Sequence, residues 1–286
     1  MPTLALDTGA TVFVTGVNGL VGSHVADQLL KRGYNVRGAV RDTEKHKYLT
    51  EYFFGKHKFA KFELVGVPDM TVEGCYDGVV EGTPPPQFTH QGDGQNSRTY
   101  ADTLEILRKE PGKPGLFVYA AMKTETEKAM WTWVKENQPG FVLNTVLPNA
   151  NFGAVLIPEH QGFPSTIEWA HDAWLGKELE MWKTFAGPQW YVHPVDCALV
   201  HVSALVHSEV DSERLFAFAE PWSYNQMMDT WRKLYPERKF VENIEGLGVD
   251  KMRVPNKRAE EVLMWVKGAG WDSMEKGMKE MTENWI

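Results

Sequence analysis

Tyr119 and Lys123 stand four residues apart in the stretch GLFVYAAMKTETEKAMW, residues 115–131. On a helix that spacing stacks two side chains one turn apart on the same face. An ammonium group beside a phenol favours the phenolate, which makes tyrosine a usable proton donor near neutral pH. Such pairs also arise by chance on helices, so the spacing alone does not separate chemistry from ordinary surface. The residues just before it, Leu116, Phe117 and Val118, read as the end of a buried strand over Gly115–Val118 that runs into the tyrosine without a loop.

A second constellation is Thr15-Gly16-Val17-Asn18-Gly19-Leu20-Val21-Gly22, a G-x-x-G-x-x-G arrangement between an apolar run and a helical pattern. Glycines there permit a tight turn and let backbone N–H groups approach a pyrophosphate. The helix that follows offers the positive end of its dipole to the same phosphates. A tight strand-to-helix turn with packing glycines is the plainer alternative, but the flanking elements are those the dinucleotide motif requires. The end of the second strand then decides which dinucleotide is bound. It reads Val40-Arg41-Asp42. Arg41 suits the 2′-phosphate of NADP, whereas Asp42 suits the ribose hydroxyls of NAD. NADP(H) is favoured over NAD(H).

The elements needed to hold these groups follow from pattern. Thr11–Thr15 is a β-branched strand, Gly22–Lys31 a helix closed by Gly33, and Asn35–Val40 a second strand. Thr43–Phe54 reads as a helix and Phe62–Val67 as a third strand, followed by a helix ending near Glu81-Gly82. This alternation predicts an α/β fold with a parallel sheet. Residues 83–99, TPPPQFTHQGDGQNSRT, read as a long loop, and Tyr100–Lys109 as a helix. Thr124–Glu136 reads as a helix and Phe141–Leu147 as a strand. Leu215–Ala219 reads as a strand, and Tyr224–Leu234, Arg258–Val266 and Ser273–Trp285 as helices.

The whole chain has 286 residues, 43% hydrophobic and 24% charged, which suffices for one large domain or two packed ones. A formal charge of −8 without a basic run argues against a nucleic-acid partner. No signal-like or membrane-spanning run occurs, and Cys75 and Cys197 form no disulfide or zinc pattern, so a reduced, cytoplasmic protein is expected. All eleven tryptophans lie between Trp131 and Trp285. Such aromatics serve as core, and collectively they also suit a wall around an apolar or aromatic ligand.

TGVNGLVGSHVADQLLKRGYNVRGAVRDTEK resembles the opening of the extended short-chain dehydrogenases/reductases, the epimerase/dehydratase superfamily. Within them it is most similar to the dihydroflavonol-reductase-like carbonyl reductases that use NADPH. The resemblance continues in FELVGVPDMTVEG, YAAMKTETEKAMW, NTVLPNANFG and YVHPVDCALVH, and in the C-terminal portion. It implies a Rossmann-type doubly wound parallel sheet over residues 1–150. Residues 151–286 would form mostly a smaller substrate-binding region, with about 189–206 returning to the first domain. It implies that Asp69 and Met70 lie against adenine, that Pro148 and Asn149 lie beside the nicotinamide, and that Lys123 also bonds the nicotinamide ribose. Tyr119 would donate the proton to the carbonyl oxygen of a small, aromatic or flavonoid-like aldehyde or ketone. No metal is implied.

Two features of that family have no counterpart in the sequence: a fourth strand with a small-residue end, and a Ser/Thr-bearing segment between the fifth strand and the tyrosine helix. With no residues available for a turn, Thr124-Glu125-Thr126-Glu127 reads as a capping box, which would leave Tyr119 and Lys123 in a connecting segment. Ser97 and Thr99 are the nearby hydroxyls. The rival readings are a non-catalytic NAD(P)-binding sensor or partner protein and a nucleotide-sugar epimerase or dehydratase.

Overall fold

The computed structural model describes residues 2–83, 87–91, 105, 109, 114–177, 182, 187–283 and 285–286. The first three strands, β1 (Thr11–Thr15), β2 (Asn35–Val40) and β3 (Phe62–Gly66), form a parallel ladder in the order β1-β2-β3. Between them run α1 (Leu20–Lys31) and α2 (Tyr48–Lys56). Helix α2 begins five residues later than its sequence pattern, because Asp42 accepts the Lys45 N–H and holds the preceding residues in a turn. Val12, Val14, Val36 and Val40 bury against Leu29, Leu30, Leu49 and Phe53 beneath this ladder.

Residues 70–82, expected to end in a helix, instead form successive turns, with Gly74, Gly78 and Gly82 all at positive φ. That backbone region is one that glycine enters without a steric cost and that interrupts a helix. The chain then enters β4 (Gln87–Gln91), inside the stretch expected to be loop. β4 pairs in parallel with β5 (Val142–Pro148), and β5 pairs with β8 (Arg214–Ala217). Among the described residues β1 and β4 are not paired, so the expected parallel sheet is divided between them. Residues 67–86 explain the division. Inserting another parallel strand would take two crossovers of at least about ten residues each plus the strand itself, more than that segment holds.

The expected strand at Gly115–Val118 does not form. Those residues belong to α3 (Pro114–Asn137), one continuous helix. The capping box at Thr124 is likewise absent, since Thr124 is a buried interior residue of α3. The expected helix over residues 100–109 lies outside the described residues except for Glu105 and Lys109, which form an ion pair of 2.6 Å. Ser97 and Thr99 also lie outside them.

After β5 the chain makes β6 (Ala150–Asn151), α4 (Pro158–Gln161) and α5 (Thr166–Trp174), then β7 (Gln189–Val192). Helix α6 (Pro194–Val206) is buried almost all round and packs against α1, β4 and β5, bridging the two ladders. Proline opens it, and the His193 Nδ1 accepts the Val195 N–H at 3.2 Å as its cap. β9 (Glu220–Trp222) runs antiparallel to β7, and β6-β7-β9 form a third ladder. Helices α7 (Tyr224–Leu234), α8 (Lys257–Lys267) and α9 (Met274–Thr282) complete the chain. The late tryptophans are core: Trp174, Trp182, Trp222 and Trp231 are buried with Phe152, Tyr191 and Tyr224. Buried Asp196 joins α6 to the C-terminal helices through Lys267 at 2.6 Å and the Asp272 N–H at 2.6 Å. No described helix is long and apolar enough to cross a membrane.

Candidate active site

β1 ends at Thr15 and the chain turns through Gly16, whose φ of 60° lies in the left-handed region. The Gly19 N–H donates back to the Gly16 carbonyl at 2.9 Å, and the Gly19 carbonyl accepts the Ser23 N–H at 3.0 Å. The turn therefore feeds directly into α1, whose first turn carries no acidic residue to offset its dipole. A Cβ on Gly22 would collide with the Gly16 carbonyl oxygen and stand 2.9 Å from its carbonyl carbon. Leu20 is buried with Ala150 and Phe152, while Val21 packs on the cluster containing Val192 and Cys197. The loop is thus a close-packed cradle with its N–H groups at a helix start, and it fits a pyrophosphate.

Two residues that sequence reasoning missed hold this cradle. Gln161 on α4 donates its Nε2 protons to the Asn18 carbonyl and to Ser23 Oγ, each at 3.1 Å, and its Oε1 accepts the Ile157 N–H at 3.0 Å. His24 Nε2 donates to the Ala154 carbonyl at 2.9 Å. Full burial lowers the His24 imidazole to about 4, so it is neutral. Neither contact leaves a local signal, because each spans more than a hundred residues.

Arg41 is exposed just past β2. Its neighbour Asp42 spends one carboxylate oxygen on the Lys45 N–H at 3.0 Å. Asp69 lies close enough for Arg41 to act on it electrostatically, but hydrogen bonds from the Thr71 hydroxyl and N–H come first in holding its carboxyl below the usual range. Met70 beside it is exposed. Arg41, Asp69 and Met70 all lie past the carboxyl ends of β2 and β3, and a guanidinium there is the group suited to a phosphate.

Tyr119, Lys123 and Glu127 occupy successive turns of one face of α3. Lys123 Nζ donates to the Gln91 carbonyl at the end of β4, at 3.0 Å. Tyr119 is 45% exposed. Glu127 is buried, and its carboxylate accepts from Thr145 Oγ1 on β5 at 2.9 Å. It also accepts from Arg214 on β8, Nε at 2.7 Å and Nη2 at 3.2 Å, and from Trp131 Nε1 at 3.4 Å. Burial raises the Glu127 carboxyl, but these donors together outweigh it and hold the group below its ordinary value.

The structure therefore brings together two groups of expected residues. From the loop Thr15, Gly16, Gly19, Leu20, Val21 and Gly22, Leu20 is buried with Ala150 and Val21 packs on the cluster containing Val146, close to where β5 ends at Pro148 and the Asn149 carbonyl accepts Asn151 Nδ2 at 3.0 Å. Tyr119 and Lys123 sit over the end of β4. β5 is common to both, because Thr145 holds α3 and Pro148 ends the same strand. No cluster of three or more metal-ligating side chains occurs among the described residues.

A glycine cradle at the carboxyl end of β1, in a parallel β1-β2-β3 ladder with crossover helices, defines a dinucleotide-binding protein of the Rossmann type. Residues 12–69 match the model of the NAD dependent epimerase/dehydratase family. The chain is 30% identical to aldehyde reductase 2 of Sporidiobolus salmonicolor over 96% of each chain. It is 29% identical to ketoreductase adrE of Penicillium rubens over 95% of each. Among solved structures it resembles yeast methylglyoxal/isovaleraldehyde reductase Gre2 complexed with NADPH, with a TM-score of 0.72 and 18% identity over 95% of this chain and 97% of that one. The chain belongs to the NAD-dependent epimerase/dehydratase family, the extended short-chain dehydrogenases/reductases. Its alignment with the Sporidiobolus enzyme runs 332 positions against 286 residues here, so at least 46 positions have no counterpart in this chain.

Proposed function

We propose that this chain is an NADPH-dependent carbonyl reductase in which Tyr119 delivers the proton and Lys123 makes it able to do so. The observation that carries the reading is that both residues lie on one face of α3, one turn apart, with Lys123 tied to the end of β4. The names of the relatives, an aldehyde reductase and a ketoreductase, support a carbonyl substrate. The NADPH complex of a similar fold supports the cofactor. A small, aromatic or flavonoid-like aldehyde or ketone suits the tryptophan-rich C-terminal half.

NADPH, when bound, supplies the hydride. The glycine loop holds its pyrophosphate, Arg41 takes the 2′-phosphate, and Asp69 and Met70 border the adenine. Pro148 and Asn149 flank the nicotinamide, and Lys123 bonds the ribose. Tyr119 hydrogen-bonds the substrate carbonyl oxygen and releases its phenolic proton to it as that oxygen gains negative charge. Bringing a phenol from a pKa of about 10 to about 7 takes roughly 4 kcal/mol of preference for the phenolate. An ammonium one helical turn away supplies much of that.

In the same reading, residues 1–150 are the dinucleotide-binding domain and 151–286 mostly the substrate-binding region, with 189–206 returning to the first. The division between β1 and β4 favours one alternative, a protein that binds NADPH without turning it over. NADPH titration followed by NADPH consumption against an aldehyde and ketone panel separates the two. Binding with turnover supports the reductase; binding without turnover on any carbonyl supports the alternative.

A further inference from the structure

We propose that Glu127 is the positioning residue that sets the rotation and axial height of α3, and thereby the approach of Lys123 to Tyr119. The proposal rests on the reading of those two residues as the proton-donating pair. It starts from how α3 is attached. Beyond Asn137 the chain turns into β5, and the helix lies over β4 and β5. Two polar contacts fix it at defined heights. Lys123 reaches the Gln91 carbonyl on β4, and Glu127, one turn further, reaches Thr145 on β5 and Arg214 on β8.

The Glu127 contact is the more rigid of the two. Its carboxylate is buried and receives a forked guanidinium with two N–H groups, which fixes direction as well as distance. Thr145 is fully buried, and β5 and β8 are themselves locked together by Asn144. Asn144 Nδ2 donates to the Ala204 and Val210 carbonyls, each at 3.0 Å, and its Oδ1 accepts the Glu213 N–H at 2.9 Å. Glu127 therefore grips a part of the sheet that does not yield. On the exposed side of α3, Glu125 and Lys128 form only a long surface pair at 3.6 Å. Without Glu127 the helix keeps the Lys123 contact, its buried Ala120, Ala121 and Thr124 and the Trp133–Phe141 stack, but loses the forked anchor that ties its rotation to β5 and β8. Lys123 would then be asked both to hold the helix and to serve the tyrosine.

The charges allow positioning to be told from a direct electrostatic effect. Glu127 lies eight residues from Tyr119, about 12 Å along the helix. Removing its negative charge while Arg214 and Lys123 remain would by Coulomb's law stabilise the phenolate and lower the Tyr119 pKa. Loss of the Lys123 approach does the reverse and raises it. The two accounts predict opposite signs.

The test uses the full chain with Glu127→Ala, Glu127→Gln and Tyr119→Phe. The Tyr119 phenolate is read by ultraviolet difference titration against Tyr119→Phe, and kcat, KM and NADPH affinity are measured alongside. Glu127→Ala is expected to raise the phenol pKa, to move the kcat–pH profile to higher pH, and to lower kcat about a hundredfold, the order expected of an ångström-scale misplacement. KM for the carbonyl should stay within about threefold, and NADPH affinity should fall by no more than loss of the Lys123 bond to the ribose allows, about tenfold, because the glycine loop is on the other ladder. Glu127→Gln, whose single amide oxygen can still accept from Thr145 Oγ1 and Arg214 Nε but no longer from Nη2, should recover part of the loss. A phenol pKa that falls or stays put in folded Glu127→Ala overturns the proposal. If Glu127→Ala does not fold, Thr145→Val removes one anchor with less disruption, and an unmoved phenol pKa there has the same meaning. Full turnover in Tyr119→Phe overturns the proton-donor reading instead, and so marks the two failures apart.

Discussion

Replacing Gly22 by alanine tests the packing of the cradle more severely than any polar substitution. At an ordinary helical position the change stabilises by about 0.5–1 kcal/mol, because glycine loses more backbone freedom on folding. Here the new methyl would meet the Gly16 carbonyl group, with its carbon 2.9 Å away and Val17 Cα at 3.2 Å. Ordinary contact begins at 3.4 Å, so the loop must move by at least about half an ångström. Those atoms are backbone and cannot swing aside. Overpacking of this kind costs about 1–3 kcal/mol, which outweighs the entropic gain. The same displacement turns the loop N–H groups away from where a pyrophosphate binds, and a tenfold loss of NADPH affinity, about 1.4 kcal/mol, is expected. Gly55 near the end of α2 is the control: a Cβ there meets nothing within 4 Å, and the position is exposed. Gly55→Ala should raise Tm by a few degrees and leave NADPH affinity alone. Calorimetric titration with NADPH and a thermal melt read both variants. Wild-type affinity and Tm in Gly22→Ala would refute the close approach of α1 to the glycine loop.

Other outcomes follow from the same geometry. Arg41→Ala should weaken NADPH about 10- to 100-fold in KM and leave NADH nearly unchanged, since only the 2′-phosphate contact is lost; equal effects on the two cofactors would contradict the assignment. Acid should destabilise the fold well before its carboxylates protonate. Burial holds His24 at about 4 and His201 at about 3, against an ordinary 6.5. Both are depressed bases, so the unfolded chain takes up protons that the folded one does not. Their stabilising effect is complete above pH 6.5 and falls away as pH drops toward the folded values. At pH 5 each removes about 2 kcal/mol, and a urea midpoint at pH 5 well below that at pH 7.5 checks it. His201 Nε2 has no hydrogen-bond partner among the described residues, and His201→Leu should remove about half of that dependence. Gln161→Ala should loosen NADPH binding several-fold without altering KM for the carbonyl, because its side-chain hydrogen bonds among the described residues go to Asn18, Ser23 and its own turn.

How far the sequence could be read depended on whether its signals were local. The glycine loop, β1 to β3 and the terminal helices carry their own periodicity and caps, and they were legible. Gly115–Val118 misled because four apolar residues fit a strand and a buried helix equally well. β4 was hidden for the opposite reason. Its core-facing Gln87 is polar, donating its Nε2 to the distant His207 and Val210 carbonyls at 2.9 Å and 3.3 Å, so the strand shows no apolar alternation. Three prolines before it also mimic a loop. Helix α6 has no polar face to reveal its period, being buried by α1, α8, β4 and β5 together. Glu127 resembled a capping residue in sequence. Its partners Thr145 and Arg214 lie 18 and 87 residues away, and only the folded chain brings them to it.

The correction of α3 changes what the tyrosine motif means. With the helix beginning at Pro114, Tyr119 and Lys123 keep their one-turn stacking, and residues 92–113 separate the end of β4 from that helix. The described ladders are divided between β1 and β4, where the sequence lacks the family's fourth strand.

Turnover by Tyr119→Phe, measured beside its NADPH affinity, bears most directly on this account. The hydroxyl alone is removed, from a side chain that is 45% exposed, so folding should be undisturbed. NADPH should bind as to the unaltered chain while carbonyl reduction falls at least about a hundredfold, the contribution typical of a general acid. Reduction at the unaltered rate, with NADPH still bound, would contradict it.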